Sequence, residues 1–273
     1  MGSLNVARMG FFLPTGPLGS SLACEMSCSS VGPPGSSPAG EIPCCWVVPP
    51  GSSPAGEIPC ECPADREQRF FAAMSRLLPV MESFYTLQGE GLFAGQAAYF
   101  IRLGGCDVGC TWCDVKDSWD ASKHPVRTVE SIVSEASAFP GRIAVITGGE
   151  PLMHDLSELT VALRAANFRT HIETSGTHPL SGEWHHVCLS PKKFKAALPE
   201  AFVRADELKV IVFNKHDLKW AEEQASQVRP SCVLYLQPEW GKREEMMPLI
   251  TDHIKNHPRW RVSLQTHKYL NIP

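Results

Sequence analysis

The chain has 273 residues and a formal net charge of −4, so its length allows one large domain or two ordinary ones. Most of that charge falls in the first 73 residues, and the nearly neutral remainder has no basic stripe, which argues against a nucleic-acid partner. No run approaches the roughly eighteen consecutive apolar residues of a membrane span, so we expect no membrane partner.

Residues 1–73 differ in composition from the rest of the chain. They hold six of the eleven cysteines, and the sequence PPGSSPAGEIPC occurs in them twice. This repeat has no apolar periodicity, so neither a helix nor a strand made from it would have a face to bury. We predict a disordered extension over residues 1–73. Prolines and glycines interrupt its one weakly apolar stretch, which favours a cytoplasmic protein over an exported one.

From residue 81 onward, short strand patterns alternate with helical patterns. The predicted strands are 98–103, 142–147, 169–173, 187–189, 207–213, 233–237 and 261–264. The predicted helices are 128–139, 156–167, 215–227 and 242–256, with Thr128 capping the first and Asp155 the second. This alternation predicts a parallel sheet with right-handed crossovers. Residues 81–273 are too few for a complete barrel of about 250 residues, so we expect an α/β fold, a partial, open parallel barrel of about six strands.

A cysteine motif directly follows the first of these strands. Cys106, Cys110 and Cys113 have the spacing C-x3-C-x2-C. Three thiolates on one short loop can ligate three irons of a 4Fe-4S cluster and leave the fourth iron open to a chelating molecule such as S-adenosylmethionine. Zinc is the main alternative, but no fourth Cys or His follows at finger-like spacing, since His124 is eleven residues further on. A disulfide would leave one thiol over.

Polar clusters follow four of the later predicted strands, namely TGGEP, ETSGT, SPK and QPE. Ligand chemistry collects at the carboxyl ends of parallel strands, so we expect these clusters at one rim. Gly148 and Gly149 are predicted to leave backbone amides uncovered, and Glu150 to accept a cationic amine. Ser175 can hydrogen-bond a ribose or carboxylate, and Lys192 can meet a carboxylate. Taken singly, these residues also suit tight turns or a solvated surface.

Eight ordered motifs give the chain a family resemblance: FYTLQGEG, FIRLGGC, WCD, TGGEP, ETSGT, SPK, LQPE and QTHKYLNIP. They resemble the radical S-adenosylmethionine superfamily and, within it, the 7-carboxy-7-deazaguanine synthases. The resemblance covers residues 81–273 and not residues 1–73. It implies a lyase that converts 6-carboxy-5,6,7,8-tetrahydropterin to 7-carboxy-7-deazaguanine with loss of ammonia, on the route to queuosine and other 7-deazapurines. It also implies a homodimer and an electron donor such as flavodoxin or ferredoxin.

The resemblance also implies roles for particular residues. Cys106, Cys110 and Cys113 would ligate the cluster. The S-adenosylmethionine site would consist of Gly149, Glu150, Ser175, Ser190, Lys192 and Gln237. The pterin site would consist of Gln88, Glu90, Arg102, Thr147, His267 and the terminal carboxylate of Pro273.

One position departs from the family pattern. In many members the third cysteine is followed by an aspartate and then by a threonine that helps to bind Mg²⁺. This chain has Val115 at the position of that threonine. A valine cannot ligate magnesium. The metal would then be held by Asp117 or Ser118, held mainly by substrate and water, or dispensable.

Two other functions stay open from the sequence. One is a radical activase, or another member of the superfamily with a different substrate, which should lack the QGEG and QTHK segments. The other is a non-catalytic iron-sulfur or zinc-binding protein.

Overall fold

The computed structural model describes residues 76–273. The extension predicted over residues 1–73 lies outside the described residues. The strands are β1 (Leu77–Leu87), β2 (Ala97–Leu103), β3 (Val126–Thr128), β4 (Ile143–Gly148), β5 (Arg169–Thr174), β6 (His186–Leu189), β7 (Glu207–Val212), β8 (Val233–Pro238) and β9 (Trp260–Val262). The helices are α1 (Val129–Ser137), α2 (Ser157–Ala165), α3 (Pro199–Arg204), α4 (His216–Ala225), α5 (Arg243–Asn256) and α6 (Thr266–Leu270).

All nine strands form one sheet in the order β3-β1-β2-β4-β5-β6-β7-β8-β9. From β2 through β4 to β9, each neighbouring pair is parallel, and β1 joins β2 and β3 in antiparallel fashion. The sheet has two edges, β3 and β9, and does not close. The predicted open, partial parallel barrel is confirmed, with seven parallel strands where about six were expected.

The amino-terminal edge of the sheet differs from the sequence prediction. Neither β1 nor β3 was predicted as a strand, and β1 begins at Leu77, four residues before the predicted start of the ordered body. Leu78 and Val80 are buried in the main core, so the residues just before position 81 belong to the fold. The short helices α3 and α6 were also missed, because five or six residues are too few to show a helical period.

The helix cap predicted at Thr128 is confirmed, and the one predicted at Asp155 is wrong. Thr128 Oγ1 accepts a hydrogen bond from the backbone nitrogen of Ser131 (3.2 Å), as expected at the start of α1. Asp155 Oδ1 accepts from the backbone nitrogen of Ser157 (3.0 Å), but the N-cap position of α2 is Leu156.

Two hydrophobic clusters form the core on the helical side of the sheet. One contains residues of β1, β2, β4 and β5 with helices α1 and α2. The other contains residues of β7 and β8 with helices α3, α4 and α5. The run Ile143 to Ile146 in β4 is buried throughout, which is typical of a parallel strand covered on both faces. No helix within residues 76–273 is both long and apolar enough to span a membrane.

Candidate active site

A cavity of about 270 Å³ opens at the carboxyl ends of the parallel strands. All but one of the residues predicted to bind the cluster, the cofactor or the substrate line it. They are Gln88, Glu90, Arg102, Cys106, Cys110, Cys113, Thr147, Gly149, Ser175, Ser190, Lys192, Gln237, His267 and Pro273. The exception is Glu150. Residues far apart in the sequence therefore meet at one site, as the strand-end argument predicts.

Backbone hydrogen bonds fix the cysteine loop to the segment that follows it. The nitrogen of Gly105 donates to the carbonyl of Ser118 (2.6 Å), and that of Cys106 donates to the carbonyl of Trp119 (3.1 Å). The loop thus returns to its own start before the chain leaves for β3. These backbone hydrogen bonds fix the position of the loop that carries the thiols.

The three cysteines of this loop are free thiols. Burial raises the pKa of Cys106 and of Cys110 above the ordinary thiol value. A metal must therefore displace a proton from each of these thiols when it binds.

The spread of the three thiols does not fit a single zinc ion. Within residues 76–273, one group of three Cys, His, Asp or Glu side chains has all its ligand atoms within 4.8 Å of one another. That group does not include the cysteines of the loop. Two sulfurs bound to one zinc at about 2.3 Å are at most about 4.6 Å apart. Thiols that share a cavity but lie further apart fit a cluster of several irons.

Gly148 and Gly149 let the turn after β4 pack directly against the cysteine loop. Gly148 has a φ of +142°, and a Cβ there would lie 2.1 Å from the carbonyl oxygen of Leu103. A Cβ at Gly149 would lie 2.3 Å from the carbonyl oxygen of Gly105. The prediction of an uncovered amide is wrong at Gly149, because its nitrogen donates to Leu103 (3.1 Å). The glycines serve close approach of two backbones.

Glu150 lies behind the cavity wall, with only 1% of its surface exposed. Its carboxylate accepts from the backbone nitrogens of Leu152 (3.0 Å) and Ser175 (2.8 Å), from Thr174 Oγ1 (2.6 Å) and from the Ser175 hydroxyl. The role of Glu150 as acceptor for a cofactor amine stays a prediction, and in this structure its two oxygens accept these four hydrogen bonds. Glu150 also orients Ser175, which does line the cavity.

Lys192 and Ser190 form a polar corner beside the cysteine loop. Lys192 Nζ donates to the carbonyl oxygen (2.5 Å) and to the Oγ (2.6 Å) of Ser190. Burial lowers the pKa of Lys192, and the nearby Cys110 counteracts this. Gln237 also lines the cavity, and its Oε1 accepts a hydrogen bond from Ser263 Oγ (2.7 Å), which fixes the orientation of its amide.

Lys209 is a cavity residue that the sequence analysis missed. Its ammonium group is 2.5 Å from Glu90 Oε2 and 2.5 Å from Glu173 Oε2, and its side chain is only 3% exposed. Burial disfavours the charged ammonium, but Cys188, Glu173 and Glu90 outweigh it and raise the pKa of Lys209 well above the ordinary value. The sequence feature that could have indicated Lys209 is a lysine inside the otherwise apolar stretch of the strand ELKVIV.

Two amides complete this charged network. Gln88 Nε2 donates to Glu173 Oε1 (3.0 Å), and Gln265 Nε2 donates to Glu90 Oε1 (2.9 Å). Burial alone would raise the pKa of Glu90, but the attraction and hydrogen bond of Lys209 lower it to about 2. Glu90 is thus an ionised acceptor at the edge of the cavity.

Arg102 is oriented by its partner across the strand pair. Glu82 and Arg102 are opposite each other in the β1–β2 register, and Arg102 Nε is 2.6 Å from Glu82 Oε1. A guanidinium group has five N–H donors, and this contact uses one of them. Arg102 can therefore present the rest of its fork to a ligand while staying paired.

The carboxyl-terminal segment closes one side of the cavity. Thr266 donates from its backbone nitrogen to the carbonyl of Gly89 (2.8 Å). His267 packs so tightly on Gly89 that a Cβ there would lie 2.1 Å from His267 Nδ1. Burial lowers the pKa of His267, and the carboxylate of Glu90 opposes that shift.

The predicted magnesium ligands are not in the cavity. Val115 lines it, but neither Asp117 nor Ser118 does. Asp117 is exposed, and Ser118 Oγ donates to the backbone carbonyl of Val115 (2.6 Å). Magnesium needs oxygen ligands, and the two candidates do not supply them at this site.

Comparison with known proteins agrees with this geometry. The sequence profile of the Radical SAM superfamily matches residues 100–189. A 7-carboxy-7-deazaguanine synthase from Flavobacterium psychrophilum is 55% identical over 208 residues, which is 76% of this chain and 99% of that protein. The synthase from Escherichia coli strain K12 is 37% identical over 71% of this chain and 98% of its own. The chain belongs to the 7-carboxy-7-deazaguanine synthase family.

A solved structure of the same family has the same fold. The crystal structure of QueE from Escherichia coli superposes with a TM-score of 0.65 at 33% identity. It covers 74% of this chain and 99% of the crystal chain. The relatives are enzymes, which argues against the alternative that this chain is a non-catalytic metal-binding protein.

Proposed function

We propose that this protein is a radical lyase that converts 6-carboxy-5,6,7,8-tetrahydropterin to 7-carboxy-7-deazaguanine with loss of ammonia. The observation that supports this most is one cavity lined by two kinds of groups: the three free thiols with Ser190 and Lys192, and Arg102 with an ionised Glu90. The first set suits a cluster and its cofactor, and the second suits a substrate with a carboxylate and a donor-rich ring. We call them the cofactor side and the substrate side. In this role the protein serves queuosine and 7-deazapurine biosynthesis.

The cofactor side is assigned from the donors that line it. Cys106, Cys110 and Cys113 would hold a 4Fe-4S cluster, which together with S-adenosylmethionine supplies a hydrogen-abstracting 5'-deoxyadenosyl radical when bound. Lys192 provides a cation for the carboxylate of the cofactor. Ser175, held by Glu150, provides a hydroxyl at fixed orientation.

Hydroxyl, amide and backbone groups line the rest of that side. They come from Gly149, Ser190 and Gln237. Their part is to orient the cofactor and to exclude water from the reacting atoms.

The substrate side is assigned in the same way. Arg102 would bind the pterin carboxylate, because Glu82 already holds the guanidinium in one orientation. Glu90 would accept hydrogen bonds from the ring N–H and the exocyclic amine, and Lys209 keeps it ionised. Gln88 and Thr147 line the same wall.

The carboxyl terminus would complete that wall. His267 and Pro273 belong to the cavity lining. Neither of the two candidate magnesium ligands, Asp117 and Ser118, lines the cavity, so we assign no step to this ion. A small electron-transfer protein such as flavodoxin or ferredoxin would supply the electron, and homodimerisation and a cytoplasmic location stay predictions.

Anaerobic turnover tests this function. The reconstituted protein is incubated with S-adenosylmethionine, a reductant and the carboxytetrahydropterin, and products are identified by mass spectrometry. We expect 7-carboxy-7-deazaguanine from the wild type and from Cys232→Ala, a thiol outside the cavity, and none from Cys110→Ala. Cleavage of S-adenosylmethionine without conversion of the pterin would instead favour a superfamily member with another substrate.

A further inference from the structure

A second group of metal-ligand atoms lies on the helical side of the sheet, away from the cavity. Glu222 on α4, His253 on α5 and His257 at the end of α5 have ligand atoms that all lie within 4.8 Å of one another. His253 Nε2 is 2.8 Å from Glu222 Oε1, and His257 Nδ1 is 3.5 Å from the same oxygen. None of the three lines the cavity.

The fold holds this group in a defined arrangement. The backbone nitrogen of His257 donates to the carbonyl of His253 (2.8 Å), which closes the last turn of α5. The two imidazole rings stack with centroids 4.2 Å apart and an angle of 16° between their planes. Trp260 Nε1 donates to Glu222 Oε1 (2.8 Å) and orients the carboxylate. An outer hydrogen bond of this kind is typical of ligating carboxylates.

The charge of the site also suits a cation. The negative end of the α5 dipole lies at its carboxyl terminus, where both histidines are. The side chains of Glu222 and His257 are 41% and 49% exposed, so an ion can enter from solvent.

We propose that Glu222, His253 and His257 bind a divalent transition metal ion, with Zn²⁺ as the best fit. Zinc takes imidazole nitrogen and carboxylate oxygen at about 2.0–2.2 Å, so ligand atoms around one ion can be up to about 4.4 Å apart. Both measured distances to Glu222 Oε1 fall within that limit. Three protein ligands leave a fourth position for water. The ion would cross-link α4 to α5 behind β7 and β8.

Equilibrium dialysis tests this site on the full chain loaded with its iron-sulfur cluster. The protein is dialysed anaerobically against Zn²⁺, and zinc and iron are counted per chain. Cysteines elsewhere in the chain also bind zinc, so the decisive quantity is the difference between variants. We expect His257→Ala and Glu222→Gln to bind one zinc fewer per chain than the wild type, with iron unchanged. The matched control is His216→Ala, an exposed histidine at the start of α4, which should bind as the wild type does.

Thermal unfolding gives a second, independent readout. Added Zn²⁺ should raise the unfolding midpoint of the wild type and of His216→Ala, since a ligand that binds only the folded state stabilises it. The rise should be smaller in His257→Ala and Glu222→Gln, so the decisive quantity is again the difference between the variants and the wild type. Equal zinc content and equal midpoint shifts in all four proteins would overturn the proposal and leave the group as a hydrogen-bonded contact between two helices.

Discussion

Lys268 on α6 forms an ion pair with Asp114, the residue directly after the third cysteine of the loop, with Nζ 3.0 Å from Oδ2. The pair links the carboxyl-terminal segment to the cysteine loop, two segments more than 150 residues apart in sequence. Asp114 is largely exposed, so the pair contributes at most about 1 kcal/mol to stability. Its consequence is geometric, because it holds the chain end over the cavity.

The first prediction concerns that chain end. Deleting residues 271–273, or adding a tag after Pro273, should raise the KM for the pterin or abolish turnover, because Pro273 lines the cavity and either change removes it or places new residues beside it. Steady-state kinetics and iron analysis on the same preparations test this. Iron content should not change, and an amino-terminal tag is the control. Wild-type kinetics in a tagged enzyme would show that the terminus has no part in binding.

Arg102→Gln should weaken pterin binding selectively. Losing the charged partner of a buried carboxylate costs about 2–5 kcal/mol, so binding should fall by at least an order of magnitude. Binding of S-adenosylmethionine should be nearly unchanged. Calorimetric titration of the two ligands measures the difference, with the surface residue Arg164, paired to Glu183, giving the control Arg164→Gln. Equal loss of both ligands would place Arg102 outside the substrate site.

The loss of folding stability at acid pH should depend on Glu90. Its pKa falls from 4.5 in a free side chain to about 2, because Lys209 outweighs the effect of burial. The folded state therefore gains stability above pH 4.5, on the order of 3 kcal/mol, and loses it as the pH falls towards 2. In Glu90→Gln, the unfolding midpoint should depend less steeply on pH over that interval. Glu244→Gln, at a side chain 88% exposed, should keep the wild-type profile; a steep profile in Glu90→Gln would count against this assignment.

Lys209→Met should destabilise the fold by about 3–5 kcal/mol, because Glu90 and Glu173 would be left without their shared cation in a buried site. Anaerobic urea unfolding measures the loss, and Lys219→Ala on the exposed face of α4 should change stability by less than about 0.5 kcal/mol. Adding Glu173→Gln to Lys209→Met should recover part of the loss. A single variant as stable as the wild type would show that the network contributes nothing to folding.

The boundary of the ordered body can be tested by shortening the chain. A protein that starts at Met74 should fold and turn over as the full chain does, if residues 1–73 are dispensable. One that starts at Met81 loses Leu78 and Val80 from the core, each contributing about 1.5–3 kcal/mol through burial. It also loses the pairing of β1 with β3. Circular dichroism melting compares the two, and failure of the Met74 protein to fold would contradict the boundary.

The sequence by itself determined the parallel α/β character of the fold and the chemistry of one rim. Buried parallel strands such as β4 are short apolar runs, and the polar residues that end them stand out against that background. Cys106, Ser175 and Ser190 could be assigned to one site because the carboxyl ends of parallel strands meet at one edge. That rule needs only the alternation of strands and helices, which is a local property.

Only the tertiary structure decided which side chains face the cavity. Glu150 carries the expected motif but points behind the wall, where four donors surround it. Lys209 has no motif, yet it lies between two carboxylates supplied by other strands and loops. Both outcomes depend on contacts between residues distant in sequence, and the direction of a side chain at a strand end follows from those contacts and not from its neighbours along the chain.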